Sequence, residues 1–296
     1  MTGRWLIVGG SGMLGHAICE DLVGRGKAVF ATAHGHGIDD LPQVSSRRLN
    51  LATRFDAQRL IGETGADVVV YAAGLTNVDQ CESDEDLALR LHAGAAAELA
   101  AVCAEKRVQF VYVSTDHLWD GKTPMKSERD PVAPINAYGR TKAAGEIATL
   151  EADPAALVLR TNFFGFGRPW RPSLSDWMLQ RLQSGAPLKA FTDAFFTPIS
   201  MPLLARSIVE AVDHQLRGIY HCCGSERISK YDFALALASY YRLSPHLITA
   251  GSLGDAGLIA PRPADMSLST VKITKALGRE QPTLLESLDA LERHAN

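Results

Sequence analysis

Val113-Ser114-Thr115-Asp116 closes an apolar run, and Tyr138-Gly139-Arg140-Thr141-Lys142 follows 23 residues after Thr115. Tyr138 and Lys142 are four positions apart, so a helix sets both on one face. An ammonium beside a phenol favours the phenolate. Lys142 is therefore expected to lower the Tyr138 pKa and make it a proton donor and acceptor near neutrality. Thr115, at the carboxyl end of a strand, would add a hydroxyl hydrogen bond to the same oxygen. Tyr-x-x-x-Lys alone is common by chance, but here it is joined by Gly9-x-x-Gly12-x-x-Gly15, directly after an apolar run. The first glycine permits a tight turn and the second lets backbone approach a pyrophosphate. The third lets helix and strand pack closely while helix N–H groups face the anion.

The elements that must position these groups alternate. Trp5-Leu6-Ile7-Val8 reads as a buried strand, followed by a helical stripe at Leu14, Ala17, Ile18 and Leu22 that stops near Gly24. Further strands are expected at Ala28–Ala31, at a weaker segment ending near Leu49-Asn50-Leu51, at Asp67–Tyr71 and at Val108–Val113. Another ends at Arg160, and one runs from Gly218 to Cys223. A helix with Leu87, Leu91, Ala95, Leu99, Val102 and Cys103 on one side separates two of them. This rhythm predicts an α/β fold, a doubly wound parallel sheet with right-handed crossovers. The crevice at the carboxyl ends of its strands is where such sheets bind ligands. Past Arg160 the rhythm breaks into a stretch rich in aromatics, Gly and Pro. Residues 1–160, with 199–223 returning to them, are read as the dinucleotide-binding domain; 161–198 and 224–296 are read as a smaller substrate-binding lobe.

The chain has 296 residues, with 30 basic and 33 acidic side chains and a formal charge of −3. No net basic field exists to hold a polyanion, so nucleic acid is not expected as a partner. No apolar run reaches the ~20 residues of a membrane span, and the N-terminus runs straight into a strand without room for a signal peptide. The five cysteines, Cys19, Cys81, Cys103, Cys222 and Cys223, are odd in number and scattered. Neither a disulfide framework nor a metal site is expected, and reduced thiols in the cytoplasm are the default.

On these residues the chain resembles the extended short-chain dehydrogenase/reductases, and within them the dTDP-4-dehydrorhamnose reductase-like branch. The resemblance is carried by Gly9–Gly15, Tyr71-Ala72-Ala73-Gly74, Ser114-Thr115-Asp116, and Pro134 through Lys142. It continues at Leu159-Arg160-Thr161-Asn162, Phe196-Thr197-Pro198, and Arg262-Pro263 with Leu268-Ser269 and Lys272, nearly the whole chain. It implies reduction of a 4-keto sugar on a nucleotide with hydride from NADPH or NADH. Tyr138 would protonate the carbonyl oxygen, Lys142 would tune it and hold the nicotinamide ribose, and Thr115 would orient the substrate. It further implies dinucleotide contacts from Gly9, Ser11, Gly12, Met13, Gly15, Ala72, Ala73, Gly74 and Lys142, and a homodimer. Asn162 would lie near nicotinamide and sugar, with Asp116, His117 and Arg262 on the substrate side.

Three positions depart from that pattern. His117 stands where the family usually has Tyr, which bears on the sugar more than on the chemistry. His92 matches an Asn, and reads either as a hydrogen-bonded structural histidine or as part of proton supply. Asn50-Leu51 replaces an Asp before the adenine, and Asn50 can still bond an adenine amino group. Past the second strand, Ala31-Thr32-Ala33-His34-Gly35-His36 lacks the acid that an NAD reader places there for the ribose 2′-hydroxyl, and Asp39-Asp40 come too late. With His34 or Thr32 available to a 2′-phosphate, NADPH is favoured, with NAD as the alternative. The insert from Asn162 to Arg171, with Trp177, reads in two ways: stacking on a base with arginines on a diphosphate, or an aromatic minicore with solvent-facing arginines. The small-residue helix Ala93–Ala97 is either a dimer contact or buried within one chain.

Two other functions share the apparatus. An epimerase or dehydratase with retained NAD uses the same Tyr and Lys, but a dehydratase needs a carboxylate pair after the Thr, where Asp116-His117 stands. A non-catalytic, NADP-binding regulatory subunit is the third reading; intact Thr115, Tyr138 and Lys142 weigh against it.

Overall fold

The computed structural model describes residues 3–295. Seven strands form one parallel sheet: β1 (Arg4–Val8), β2 (Ala28–Ala33), β3 (Ser45–Arg48), β4 (Val68–Tyr71), β5 (Gln109–Val113), β6 (Leu157–Arg160) and β11 (Gly218–His221). Their spatial order is β11-β6-β5-β4-β1-β2-β3. The order reverses beside β1, which opens a crevice at the carboxyl ends of β1 and β4. Within the first half lie helices α1 (Met13–Gly24), α2 (Ala57–Thr64), α3 (Val78–Ser83), α4 (Glu85–Leu89), α5 (Ala95–Lys106) and α6 (Ala137–Ala152).

Alternation along the strands builds two cores. Trp5 and Ile7 point to the face covered by α1 and α8 (Met201–Asp213), with Leu14, Ile18, Leu204 and Ile208. Leu6 and Val8 point to the opposite face, with Leu60 and Ile61 of α2 and Leu99 and Val102 of α5. Period-2 side chains buried on both sides are the reason β4 is apolar at every position. The weak third strand is Ser45–Arg48, ending just before Leu49, and its side chains are half-buried or exposed because it is the sheet's edge.

After β6 the chain leaves the sheet. β7 (Phe163–Phe164) pairs in parallel with β10 (Ile199–Ser200), β8 (Leu188–Phe191) with β13 (Ile248–Gly251), and β9 (Phe195–Phe196) runs antiparallel to β12 (Ile228–Ser229). A third core joins Phe164 and Phe196 to α7 (Leu174–Gln183), α9 (Lys230–Tyr240) and Leu284, Leu288 and Leu291 of α11 (Leu284–Ala295). The boundary at residue 224 is not clean. Helix α10 (Val271–Leu277) returns to the sheet and buries Ile273 in the core beneath it.

The small residues Ala93, Ala95 and Ala96 are buried within the chain. They let α6 come close: a Cβ on Gly145 would stand 2.3 Å from the His92 carbonyl oxygen. This helix is therefore no argument for a dimer. The continuous helix Glu85–Lys106 is long and apolar enough to cross a bilayer, with mean hydropathy 1.4, yet half of it is buried, as in a core helix. All five cysteines are buried and unpaired.

Candidate active site

The glycine turn is shaped by close approach. Gly9 has φ of 90°, its N–H donates to Thr32 Oγ1 at 3.1 Å, and a Cβ there would lie 2.9 Å from the Ala73 backbone. A Cβ on Gly15 would lie 2.2 Å from the Gly9 carbonyl oxygen, so α1 rests directly on the turn. Gly12 caps α1 without a side-chain hydrogen bond, and the first turn holds no acidic residue. Its first N–H groups are left as donors for an anion. Ser11 and Met13 are half-buried beside them, and Ala72, Ala73 and Gly74 continue from β4 to the same edge. These residues fit the pyrophosphate of a dinucleotide. Thr32, expected near a 2′-phosphate, is instead buried and bonded to the glycine turn. His34 is exposed beyond β2, Asn50 is exposed with Oδ1 accepting from the Ala52 N–H at 3.0 Å, and Leu51 is buried in the core under α2.

Asn136 starts α6 by accepting the Gly139 N–H at 2.8 Å, which puts Tyr138 in the first turn. The half-buried phenol stands near Thr115, whose hydroxyl donates to Asp116 Oδ1 at 3.2 Å and accepts the His117 N–H at 3.3 Å. The rings of His117 and His92 stand edge-on to it, 5.3 and 5.7 Å away. Burial pushes the phenol up to about 12; the Thr115 hydroxyl opposes this and the Asp116 charge adds to it. Lys142 donates to the Val113 carbonyl at 2.6 Å and lies 4.2 Å above the Tyr112 ring. Burial drives Lys142 down to about 7, against the pull of Glu146. The expected lowering of the phenol is thus not met: burial raises it, and burial moves the lysine itself toward neutrality. The phenol stays a proton donor across the neutral range. Below the site a buried ion pair, Arg160 with Glu146 at 2.7 Å, also receives the Ser114 hydroxyl.

His92 sits in a π turn (Arg90–Gly94) between α4 and α5. The Thr141 hydroxyl, which donates to the Ala137 carbonyl at 2.8 Å, lies 2.8 Å from His92 Nδ1. Nε2 lies 3.1 Å from the Leu75 nitrogen and 3.0 Å from the Leu75 carbonyl oxygen. Burial and the Lys142 charge hold this imidazole near 3, neutral. It positions the Gly74-Leu75 wall, which agrees with the structural reading of His92.

Asp116 is buried and accepts the Asn162 amide. Burial raises its carboxyl to about 6, while Asn162 and the Lys230 charge pull the other way. Lys230, at the start of α9 and over the Phe196 ring, is lowered by burial to about 8, opposed by Asp116. Sequence reasoning missed Lys230. Only its place after the N-cap Ser229 marks it, and that says nothing of Asp116. A cavity of about 270 Å³ opens here, walled by His117, Asn162, Trp177, Phe191, Lys230 and Arg262. His117 Nδ1 is buried without a hydrogen-bond partner among the described residues. Burial, with Arg262 and Lys230, lowers that ring to about 3. Arg262 is held by Asp79 at 3.0 Å and by the Ala260 carbonyl at 2.7 Å. The insert divides between its two readings: Phe164 joins the third core, whereas Arg168, Trp170 and Arg171 reach the sheet side. A larger cleft, about 760 Å³, lies at the opposite, amino ends of the strands near Trp5, Asp67 and Arg107, away from this chemistry.

A parallel sheet that presents an anion-binding glycine turn to a phenol and lysine on one helix is the arrangement of an NAD(P)-dependent oxidoreductase of the extended short-chain dehydrogenase/reductase class. A family model described as the RmlD substrate binding domain matches residues 3–295, and the chain belongs to that family. A probable low-salt glycan biosynthesis reductase of Haloferax volcanii is 30% identical over 97% of this chain and 96% of its own. A dTDP-4-keto-6-deoxy-D-glucose reductase of Streptomyces niveus is 30% identical over 90% of this chain and 84% of its own. The methionine adenosyltransferase 2 subunit beta of Rattus norvegicus is 28% identical over 94% and 84%. Among solved structures, a hypothetical dTDP-4-dehydrorhamnose reductase from Sulfolobus tokodaii superposes with a TM-score of 0.86, at 30% identity over 97% of this chain and 98% of that one. The dTDP-4-dehydrorhamnose reductase of Bacillus anthracis, in complex with NADP, has the same fold, with a TM-score of 0.85 at 23% identity over 99% and 98%.

Proposed function

We propose that the protein reduces a 4-keto group on a nucleotide-activated deoxysugar with NADPH, NADH being the alternative. The observation that carries this reading is the Tyr138 phenol on one helix with Lys142, its ring edge-on to His117 at 5.3 Å, where His117, Lys230 and Arg262 wall a cavity. The dinucleotide, when bound along Gly9, Ser11, Gly12, Met13 and Gly15, supplies the hydride. Tyr138 gives its proton to the carbonyl oxygen as negative charge develops there. Thr115 holds that oxygen in line, and Lys142 holds the ribose and restores the proton balance around the phenol. His117 Nδ1, Asn162 and Asp116 meet sugar hydroxyls, while Lys230 and Arg262 supply cations to the diphosphate.

Residues 161–198 with most of 224–296 act as the substrate-binding lobe, and a cytoplasmic homodimer is the expected state. The exposed Leu89 and Ile147 on the packed helices α4 and α6 support association. The test is NADPH oxidation, followed at constant enzyme, across dTDP- and UDP-linked 4-keto sugars. Turnover of one or more supports the reading, and no turnover of any defeats it. Similarity to a methionine adenosyltransferase subunit favours a second reading, a non-catalytic dinucleotide-binding subunit. That reading requires tight NADPH binding without turnover of any sugar.

A further inference from the structure

The tip of the insert is a built loop. Arg168 and Arg171 exchange main-chain hydrogen bonds of 3.1 and 2.7 Å, and Asp176 accepts the Gly167 and Ser173 N–H groups, both at 2.7 Å. A Cβ on Gly167 would lie 2.3 Å from the Arg171 carbonyl oxygen, so the turn closes on itself. From this base the tip crosses to the other layer at two points. Arg171 donates to the Thr76 hydroxyl, beyond β4. Trp170 stacks on His36, beyond β2, with ring centroids 4.2 Å apart and planes 14° from parallel. The Arg168 guanidinium lies 5.0 Å over Trp170 and donates through Nη2 to Asp40 at 2.9 Å. Asp40 in turn meets His16 of α1 at 3.0 Å. Arg168 therefore stands between α1, which carries the anion-binding turn, and the loop that follows β2, where an adenosine ribose ends.

The Nε–H of Arg168 is buried without an acceptor among the described residues. The side chain is 15% exposed, so the group has lost water as well. A desolvated donor without a partner is costly unless a ligand completes it. Its geometry beside Nη2 matches two oxygens of a phosphate. The nearest anion, the half-exposed Asp40, fills only the Nη2 side.

We propose that Arg168, carried by the insert, reads the 2′-phosphate of NADPH, and that Asp40 is the internal counter-ion holding it in place until the phosphate arrives. This rests on the NADPH reading above, and it assigns cofactor choice to a residue outside the first 160. The loop after β2 contributes His36 as the platform for Trp170, and His34 is not needed.

The experiment measures dissociation constants of NADPH and NADH for the full chain, wild type, Arg168→Met and Asp40→Asn, by fluorescence titration at one ionic strength. Arg168→Met is expected to weaken NADPH about tenfold or more while NADH changes less than about twofold, the range of a lost charged hydrogen bond. Asp40→Asn breaks the same ion pair but leaves the guanidinium, so NADPH affinity holds or rises. Arg168→Met keeping the wild-type ratio of the two constants overturns the proposal. So does Asp40→Asn losing that ratio equally, because the ion pair would then only be bracing the loop. A wild type that binds NADH better than NADPH defeats the cofactor reading itself, which is a separate result from the variant ratios.

Discussion

Replacing Gly15 by alanine puts a methyl carbon 2.2 Å from the Gly9 carbonyl oxygen, 2.8 Å from its carbonyl carbon and 2.9 Å from the Gly10 Cα. Every obstacle is backbone, and the shortfall against ordinary contact is about an ångström, so the first turn of α1 must move off the glycine turn. Overpacking of this kind costs about 1–3 kcal/mol. With no flexible side chain to yield, the upper half of that range applies, a fall in Tm on the order of 5 °C. The same displacement misdirects the N–H groups that face the pyrophosphate, so dinucleotide affinity should drop about tenfold, equivalent to about 1.4 kcal/mol. Two other glycines of the same segment calibrate the reasoning. Gly12 would meet the Gly9 oxygen at 3.2 Å, and Gly24, at the end of α1, would meet nothing within 4 Å. Gly12→Ala should therefore be mild for the stability of the dinucleotide-free protein, though its methyl would stand where the pyrophosphate approaches and so weaken binding, and Gly24→Ala should stabilise by up to about 0.5–1 kcal/mol. The assay is thermal unfolding with and without NADPH, together with direct titration. A Gly15→Ala protein within about 1 °C of wild type and twofold in affinity would refute the close-packing argument.

Tyr138→Phe should lower turnover by ~10²–10⁴-fold with dinucleotide affinity nearly unchanged, because the phenol acts only as charge develops on the substrate oxygen; a variant retaining a tenth of wild-type turnover excludes Tyr138 as the acid. Lys142→Met should lower rate and dinucleotide affinity together, measured by titration beside the same assay. Lys142 is charged below and neutral above about 7, so kcat/KM for reduction should fall as pH rises through that value, while the phenol at about 12 stays protonated; a flat profile from about pH 6 to 9 contradicts this. Glu146→Gln leaves the Arg160 charge buried beside a neutral amide and should destabilise by about 3–5 kcal/mol; denaturant unfolding measures it, and a loss below about 1 kcal/mol counts against an uncompensated charge.

What was legible in the sequence was local. The glycine turn, the apolar strands and the Tyr138–Lys142 helix each declare themselves within one turn or strand, and the parallel sheet follows from their alternation. The edge strand Ser45–Arg48 was legible only by its approximate end, because an edge buries little and so leaves a weak apolar signal. Lys230 and Arg168 were beyond local reading. Lys230 faces Asp116 from more than a hundred residues away, and Arg168 reaches Asp40 across 128 positions. The phenol's pKa went the other way from expectation for a related reason. Spacing places Lys142 on the right face, but only the fold buries both groups, which raises the phenol and lowers the lysine.

The π turn at Arg90–Gly94 makes the length of its helix a fixed quantity. It holds one residue more than an α-helical path would use, and each residue of an α-helix advances about 100° around the axis. Deleting one position there would restore regular geometry while rotating one side of the helix by that angle against the other. Neither side is free to follow: Asp84 accepts the Leu87 N–H ahead of the turn, and Leu99 and Cys103 are buried after it. The rotation would therefore fall on His92, pulling it off Thr141 and Leu75 and releasing the wall beside Gly74. Chimeras spliced through this helix should fold with an intact site only when both parents carry the extra residue, so a one-residue gap in an alignment here marks a boundary that recombination cannot cross.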